Sequence, residues 1–247
     1  MFPGYLFDLD GTLWRGEEEI PGAAETVYLL RQRGAKIGYV TNNSTKSSDD
    51  FVRKLAGLGF PIDGAVIKST ASGAAAQLSQ LNRKSAYVIG EAGLMDAIGA
   101  VAELTDKDAE AVVVGLCFSF NYRMMETAMG LIRAGATFIA TNRDATYPMS
   151  EGTMIPGAGS IVAAVEACGG KSPLVIGKPE PTMILQALAE FGLAADQVLV
   201  VGDRMDTDIE AGQRAGCPVH LVLSGVETSA PEGISSSPDI TGLLAGF

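Results

Sequence analysis

Only three cysteines, one histidine and one tryptophan occur in the 247 residues. Cys117, Cys168 and Cys217 are odd in number, far apart and without CxxC spacing. That supports neither a disulfide framework nor a zinc site, and reads them as reduced thiols packed as small hydrophobes, the state expected in the cytoplasm. The lone His220 follows Pro218-Val219 in an apolar stretch and reads as structural rather than catalytic. Basic residues are scarce, 18 against 29 acidic, for a formal net charge of −11. Such a balance argues against nonspecific nucleic-acid binding and against an anionic membrane surface. It leaves a small anionic ligand open, because a metal and a few fixed donors can reverse the sign locally. No apolar run is long enough to span a bilayer. The N-terminus turns acidic by Asp8 with no basic stretch before an apolar region, which does not read as a signal peptide.

What the chain does have is Tyr5-Leu6-Phe7-Asp8-Leu9-Asp10-Gly11-Thr12. An apolar run broken by turn chemistry predicts a buried strand that ends in a loop. In open α/β sheets, ligands sit at the carboxyl ends of strands, where Asp8 and Asp10 would lie. Two carboxylates this close repel unless a cation lies between them or one takes a proton. Gly11 would let the backbone turn sharply and approach a ligand. The plainer reading is an acidic turn capped by Thr12.

Strand and helix patterns then alternate. Helical spacing follows Pro21-Gly22 and stops at Gly34, and Lys36 to Val40 reads as a strand running into Thr41-Asn42-Asn43-Ser44. A helix with Phe51, Leu55 and Leu58 stops at Gly59. Ala65 to Ile67 is a weaker strand, and Ser69 to Leu81 an Ala-rich helix. Asn82 to Ser85 reads as a linker. A second series follows, with strands at Ala86 to Gly90, Ala111 to Gly115 and Thr137 to Ala140, and helices at Met124 to Arg133 and around Ile161 to Ala167. Gly169 to Pro173 is a second linker. Beyond it come Leu174 to Gly177, then Lys178-Pro179, whose proline predicts a helix N-terminus. The apolar strand Gln197 to Val201 runs into Gly202-Asp203, with a helix expected from Asp206. Val219 to Leu223 is a last strand, and Ser229 to Pro238 a loose loop. The alternation predicts a parallel sheet with crossover helices.

Three strands therefore end in polar clusters, Asp8/Asp10, Thr41/Asn42/Asn43 and Asp203/Asp208, and Lys178 joins them. Each has a bland reading alone: a turn and N-cap, a solvated charge, an acidic first turn of a helix. All four in this order, each at the end of a strand or the start of a helix, make coincidence improbable.

The order resembles the haloacid dehalogenase-like superfamily of phosphohydrolases, through Asp8-Leu9-Asp10-Gly11-Thr12, Thr41, Lys178 and Gly202-Asp203 with Asp208. Thr41-Asn42-Asn43, Gly177-Lys178-Pro179, Gly202 to Ile209 and Leu223-Ser224-Gly225-Val226 are similar to the NagD-like, 4-nitrophenylphosphatase-type branch, which includes phosphoglycolate and pyridoxal-phosphate phosphatases. The resemblance implies a Rossmann-like α/β core of residues 1–82 and 172–247, interrupted by an α/β cap of residues 83–171.

The resemblance also implies a Mg²⁺-dependent phosphatase for small phosphomonoesters. In it Asp8 is the nucleophile that forms an aspartyl-phosphate, and Asp10 the general acid and base. The ion is held by Asp8, the Asp10 main-chain carbonyl and Asp203, with Asp208 fixing its waters. Thr41, Asn42, Asn43 and Lys178 contact the phosphoryl group. In the cap, Arg143 offers a fork for a carboxylate or second phosphate and Tyr147 a ring and hydroxyl for the leaving group, on a loop after the strand Thr137 to Ala140. The plainer alternative is that Asn142 to Pro148 is only a turn, with Tyr147 tucked under the cap. Partners would be a small phosphorylated metabolite and, in one arrangement, a second copy through the cap. A noncatalytic phosphoacceptor, a phosphomutase or dehalogenase on the same core, and a scaffold without chemistry are the competing readings. Trp14, just past the first motif, reads as core or hinge packing ahead of substrate contact.

Overall fold

Parallel strands buried on both faces need near-continuous apolar runs, and two such sets build this protein. The computed structural model describes residues 1–148 and 153–244; the last three residues of the expected core segment 172–247 lie outside them. In chain order the first elements are β1 (Gly4–Phe7), β2 (Trp14–Arg15), β3 (Glu18–Glu19), α1 (Ala23–Gln32), β4 (Lys36–Thr41), α2 (Ser48–Gly57), β5 (Val66–Ser69) and α3 (Thr70–Gln80). The middle of the chain forms β6 (Ser85–Ile89), α4 (Ala92–Gly99), β7 (Glu103–Leu104), β8 (Ala111–Val114), α5 (Tyr122–Arg133), β9 (Thr137–Ala140), β10 (Thr146–Pro148), β11 (Met154–Pro156) and α6 (Ala158–Gly169). The rest are β12 (Leu174–Val175), α7 (Thr182–Phe191), β13 (Val198–Gly202), α8 (Glu210–Arg214), β14 (Val219–Val222) and β15 (Ser236–Ser237).

A six-stranded parallel sheet has the order β15-β14-β13-β1-β4-β5. A separate, inserted five-stranded parallel sheet has the order β12-β9-β8-β6-β7. The fold class expected from the alternation is therefore the one found. By packing the chain divides into one unit of residues 1–41, 49–68 and 178–247 and another of residues 42–48 and 69–177. Each has its own core. Tyr5, Phe7, Val27, Leu30, Tyr39 and Val201 are among the residues closing the first. Ile89, Val112, Val114, Phe138, Val162 and Val165 are among those closing the second.

Local chemistry accounts for the element ends. Ser69 caps α3 by accepting from the Ser72 main-chain N–H, and the Ser72 hydroxyl accepts from the Ser69 N–H, a reciprocal capping box. Asn121 caps α5 through the N–H groups of Arg123 and Met124.

The structure departs from the sequence expectations at several points. Lys178 is not at a helix start: it stands in a turn, and α7 begins at Thr182 after Pro181. Residues Met205–Ile209 form a wide π-type turn before α8, where an α-helix from Asp206 was expected. Tyr147 lies in β10, paired antiparallel with Ile155 of β11, so the expected loop over 142–148 is half hairpin. The small β2/β3 hairpin, α4 and β7 have too few residues or too little periodicity to stand out in the sequence.

Candidate active site

Three neighbouring strands deliver the polar clusters to one edge of the first sheet. Phe7 of β1 lies beside Val201 of β13 and Tyr39 of β4. Asp8, Asp203 and Thr41 follow those residues directly or one position later, so all three leave the same carboxyl edge. The Asp8 N–H donates to Val201 O at 2.8 Å, which continues the ladder one residue past β1 and fixes where the Asp8 side chain starts.

Lys178 is the hub of the cluster. Its buried ammonium donates to Asp8 Oδ1 at 2.5 Å and to Val40 O at 3.0 Å. It also lies 2.6 Å from Asp208 Oδ1. That buried Asp208 oxygen meets the charge without a hydrogen bond of good geometry. Asp208 Oδ2 accepts from the Arg204 N–H at 3.1 Å, and Asp203 Oδ2 from the Val226 N–H at 2.7 Å. The cluster is thus pinned on its outer side by main-chain donors, while its inner oxygens face one another.

Three carboxylates, Asp8, Asp203 and Asp208, share this single ammonium, with ligand oxygens all within 4.8 Å of one another. The charge imbalance is legible in the proton affinities. Burial raises Asp8 well above the ordinary carboxylate range. Lys178 opposes the rise, and the Asp208 and Asp203 charges add to it. Burial, and then the Asp208 charge, push Asp203 up to about 6 against the Val226 N–H and Lys178. Burial pulls Lys178 down, but the Asp208 and Asp8 charges outweigh it and leave it above its ordinary value. Carboxylates held this way lack positive charge, which a divalent cation would supply.

The donor set fits such an ion: hard oxygens, a buried Asp208 oxygen met only by the Lys178 charge, and a cradle shaped by glycine. Gly11 has φ +89°, a conformation that L side chains rarely adopt, and a Cβ there would lie 2.4 Å from Asp203 Oδ2. A Cβ on Gly225 would lie 1.9 Å from the same oxygen. The two glycines wrap the Asp203 carboxylate so closely that a side chain at either position would force that carboxylate to move. Ser224 ties the cradle together, its hydroxyl donating to Gly11 O at 2.8 Å, and the Arg15 guanidinium reaches Ser224 O, with Nε at 2.7 Å. In the sequence, Leu223 to Val226 carries only the resemblance to the NagD-like branch. Its physical role becomes visible once β14 is seen to deliver it beside Asp203.

Asp10 is exposed, and its Oδ1 accepts from the Trp14 indole at 2.8 Å. Thr41 is buried at the end of β4. Asn42 and Asn43 follow it in the chain and pack with the second unit. Within that unit, Asn42 O accepts from Asn142 Nδ2 at 3.0 Å and Thr70 Oγ1 at 2.8 Å, and Asn42 Nδ2 reaches Asp144 Oδ2 at 3.3 Å. Asn43 Oδ1 accepts from both the N–H and the hydroxyl of Thr45 at 2.8 Å, closing a turn. The Arg143 fork is already engaged with Glu166, Nη1 to Oε2 at 2.8 Å and Nη2 to Oε1 at 3.3 Å. Tyr147 is half-buried on β10.

His220 is buried in β14 with its two ring nitrogens 2.8 Å from Ser235 Oγ and 2.7 Å from Ser237 Oγ, a packing role. The three cysteines are free, and burial pushes the Cys217 thiol up to about 11, as for a packed hydrophobe. Among the described residues no helix is long and apolar enough to cross a membrane.

A parallel sheet carrying acidic residues and a lysine at its carboxyl edge, with a second sheet inserted, is an arrangement suited to holding a cation and a small anion together. Residues 5–102 match the family model described as haloacid dehalogenase-like hydrolase, and residues 175–241 a second model, HAD-hydrolase-like. The chain is 38% identical over 248 residues to phosphoglycolate phosphatase 1A, chloroplastic, of Arabidopsis thaliana, covering 90% of this chain and 68% of that protein. Its structure is similar to p-nitrophenyl phosphatase from Archaeoglobus fulgidus, with TM-score 0.91, 30% identity and 100% and 99% of the two chains covered. It is similar also to NagD from E. coli K-12, with TM-score 0.88, 31% identity and 97% of each chain covered. The chain belongs to the haloacid dehalogenase-like hydrolases, in their NagD/p-nitrophenyl phosphatase type, and is a phosphoric monoester hydrolase of small phosphorylated substrates.

Proposed function

We propose that the protein moves the phosphoryl group of a small phosphomonoester first to Asp8 and then to water. The observation that carries this reading is the contact of Lys178 with both Asp8 and Asp208, beside Asp203, at the carboxyl edge of the core sheet. Asp8, the Asp10 main-chain carbonyl and Asp203, backed by Asp208, would hold a Mg²⁺ ion that supplies positive charge to the phosphoryl oxygens.

An Asp8 oxygen attacks phosphorus, and the bond from phosphorus to the leaving oxygen breaks as Asp10 gives that oxygen a proton. Water then attacks the phosphorus of the aspartyl-phosphate while Asp10 takes a proton from it. The Asp8–phosphorus bond breaks and phosphate leaves. Lys178 offsets the charge of Asp8 and the phosphoryl group. Thr41, Asn42 and Asn43 donate to the equatorial oxygens, where charge spreads during transfer.

These groups meet only the phosphoryl end, so selection of the leaving group falls to the inserted segment, residues 83–171 between core segments 1–82 and 172–247. There Tyr147 and Arg143 are the selector residues. Phosphoglycolate, for which a relative is named, is the first substrate to try, with sugar phosphates, nucleoside monophosphates and pyridoxal phosphate beside it.

The test is a phosphomonoester panel with Mg²⁺, run on wild type and Asp8→Asn, with and without chelator. Sustained release of inorganic phosphate separates a hydrolase from a phosphoacceptor or a mutase. Asp8→Asn should fold and lose turnover, since an amide is a poor nucleophile. A folded Asp8→Asn protein within about tenfold of wild type, or undiminished turnover in excess chelator, would rule the mechanism out.

A further inference from the structure

We infer that Trp14 is a positioning residue for Asp10: its indole holds one oxygen of the carboxyl group and leaves the other to carry the transferable proton. The inference rests on the reading of Asp10 as proton donor and acceptor given above.

The two residues differ sharply in environment. Trp14 is 1% exposed, whereas Asp10 is exposed. Trp14 Nε1–H donates to Asp10 Oδ1 at 2.8 Å, the one hydrogen bond seen to that carboxylate among the described residues. A buried indole N–H needs a partner. This one has taken the side chain that the reaction requires to move protons. An indole nitrogen only donates. The oxygen facing it must therefore remain an acceptor whether Asp10 is charged or neutral, and the proton that passes to the leaving oxygen, and is later taken from water, is confined to Oδ2.

The ring is itself immobilised. Phe60 packs edge-on with centroids 6.2 Å apart and planes at 69°, and Lys54 Nζ lies 4.7 Å over the indole. Lys54 is held in turn by Gly16 O at 2.6 Å. The main chain closes the loop between the two residues: Gly11 N–H donates to Trp14 O at 2.7 Å, and Trp14 N–H to Leu9 O at 3.3 Å. Trp14 then enters the β2/β3 hairpin opposite Glu19. An exposed aspartate on a glycine-containing turn would otherwise sample several rotamers. Anchoring it to a buried ring gives the preorganisation that proton transfer at a fixed site demands.

The test removes the N–H while keeping the ring. Trp14→Phe is compared with site-directed replacement of Trp14 by 3-benzothienylalanine, an isostere with sulfur in place of N–H, which guards against loss of packing. Both are assayed with phosphoglycolate, whose alkoxide leaving group needs a proton, and with p-nitrophenyl phosphate, whose phenolate does not. The value read is kcat/KM, which reports the step in which the leaving group departs. We expect a fall of about tenfold or more for phosphoglycolate and less than about threefold for p-nitrophenyl phosphate, with KM little changed, because general acid catalysis contributes about 10²–10⁴-fold and orientation is part of it. A common factor on both substrates, or no loss with the isostere, would overturn the inference. Asp10→Asn run alongside separates the two failures. If it keeps wild-type kcat/KM on phosphoglycolate, the acid–base reading of Asp10 is wrong. If it loses activity while the Trp14 variants do not, only the positioning role falls.

Discussion

Lys178 Nζ lies 2.5 Å from Asp8 Oδ1 across the floor of the acidic cluster, with side chains 4% and 12% exposed. Breaking a buried pair by removing one partner leaves an uncompensated charge and costs about 3–5 kcal/mol. Here part of the loss is offset, because burial already favours the protonated form of Asp8. Lys178→Met should therefore lower urea stability by a few kcal/mol at neutral pH and abolish turnover. Unfolding midpoints that match wild type would show that the pair contributes nothing net.

The glycine cradle around Asp203 gives a second expectation. Gly225→Ala adds a Cβ that would lie 1.9 Å from Asp203 Oδ2, so the carboxylate must move. Because Asp203 is proposed to hold Mg²⁺, the concentration for half-maximal activity should rise by about tenfold or more, with saturating Mg²⁺ recovering part of the rate. Titrating activity against Mg²⁺ checks this, and an unchanged midpoint would remove Asp203 from the ligand set.

The cap residues should behave differently from each other. Arg143 is already forked onto Glu166, so Arg143→Ala and Glu166→Ala should have matching effects on a substrate panel if the pair acts as a brace. If Arg143 instead reads a carboxylate on the substrate, Arg143→Ala alone should change the ranking. Tyr147→Ala should reorder alkyl substrates and leave a small aryl phosphate at a similar rate. One common factor across the panel would take Tyr147 out of selection.

His220 predicts a pH dependence of stability. Burial holds its ring below the ordinary imidazole value of 6.5. The folded state then binds the proton less readily than the unfolded chain. The ring's contribution is fully present above about 6.5 and is lost as pH falls through the folded value. In denaturant melts between about pH 5 and 7.5, wild type should lose stability on acidification more steeply than His220→Gln, which has no ring to protonate. Parallel slopes for the two proteins would show that the ring does not titrate differently on folding.

Much of the core site was legible before folding. Tyr5 to Thr12 and the run into Gly202-Asp203 each combine an apolar strand with turn chemistry at its end, and both signals are local. Thr137 to Ala140 forms the strand its local pattern predicts, for the same reason. Where periodicity is short or mixed, local signals fail: the β10/β11 hairpin and the β2/β3 hairpin have two or three residues per strand and take their form from pairing partners.

What the sequence by itself determined is which residue types end which strands, because hydrophobic runs, glycines and carboxylates act on their immediate neighbours. It determined the parallel architecture too, since strand–helix alternation leaves few other ways to cover a sheet. Only the tertiary structure decided that Lys178 leaves a turn rather than a helix end to meet Asp8 and Asp208, that Gly225 cradles Asp203, that Arg143 pairs with Glu166, and that the buried Trp14 indole donates to Asp10. Most of these relationships join segments far apart in the chain. Even the last depends on Phe60 and Lys54 to fix a ring only four residues from its partner. Their geometry follows from how sheet register and core packing bring those segments together, which no local pattern encodes.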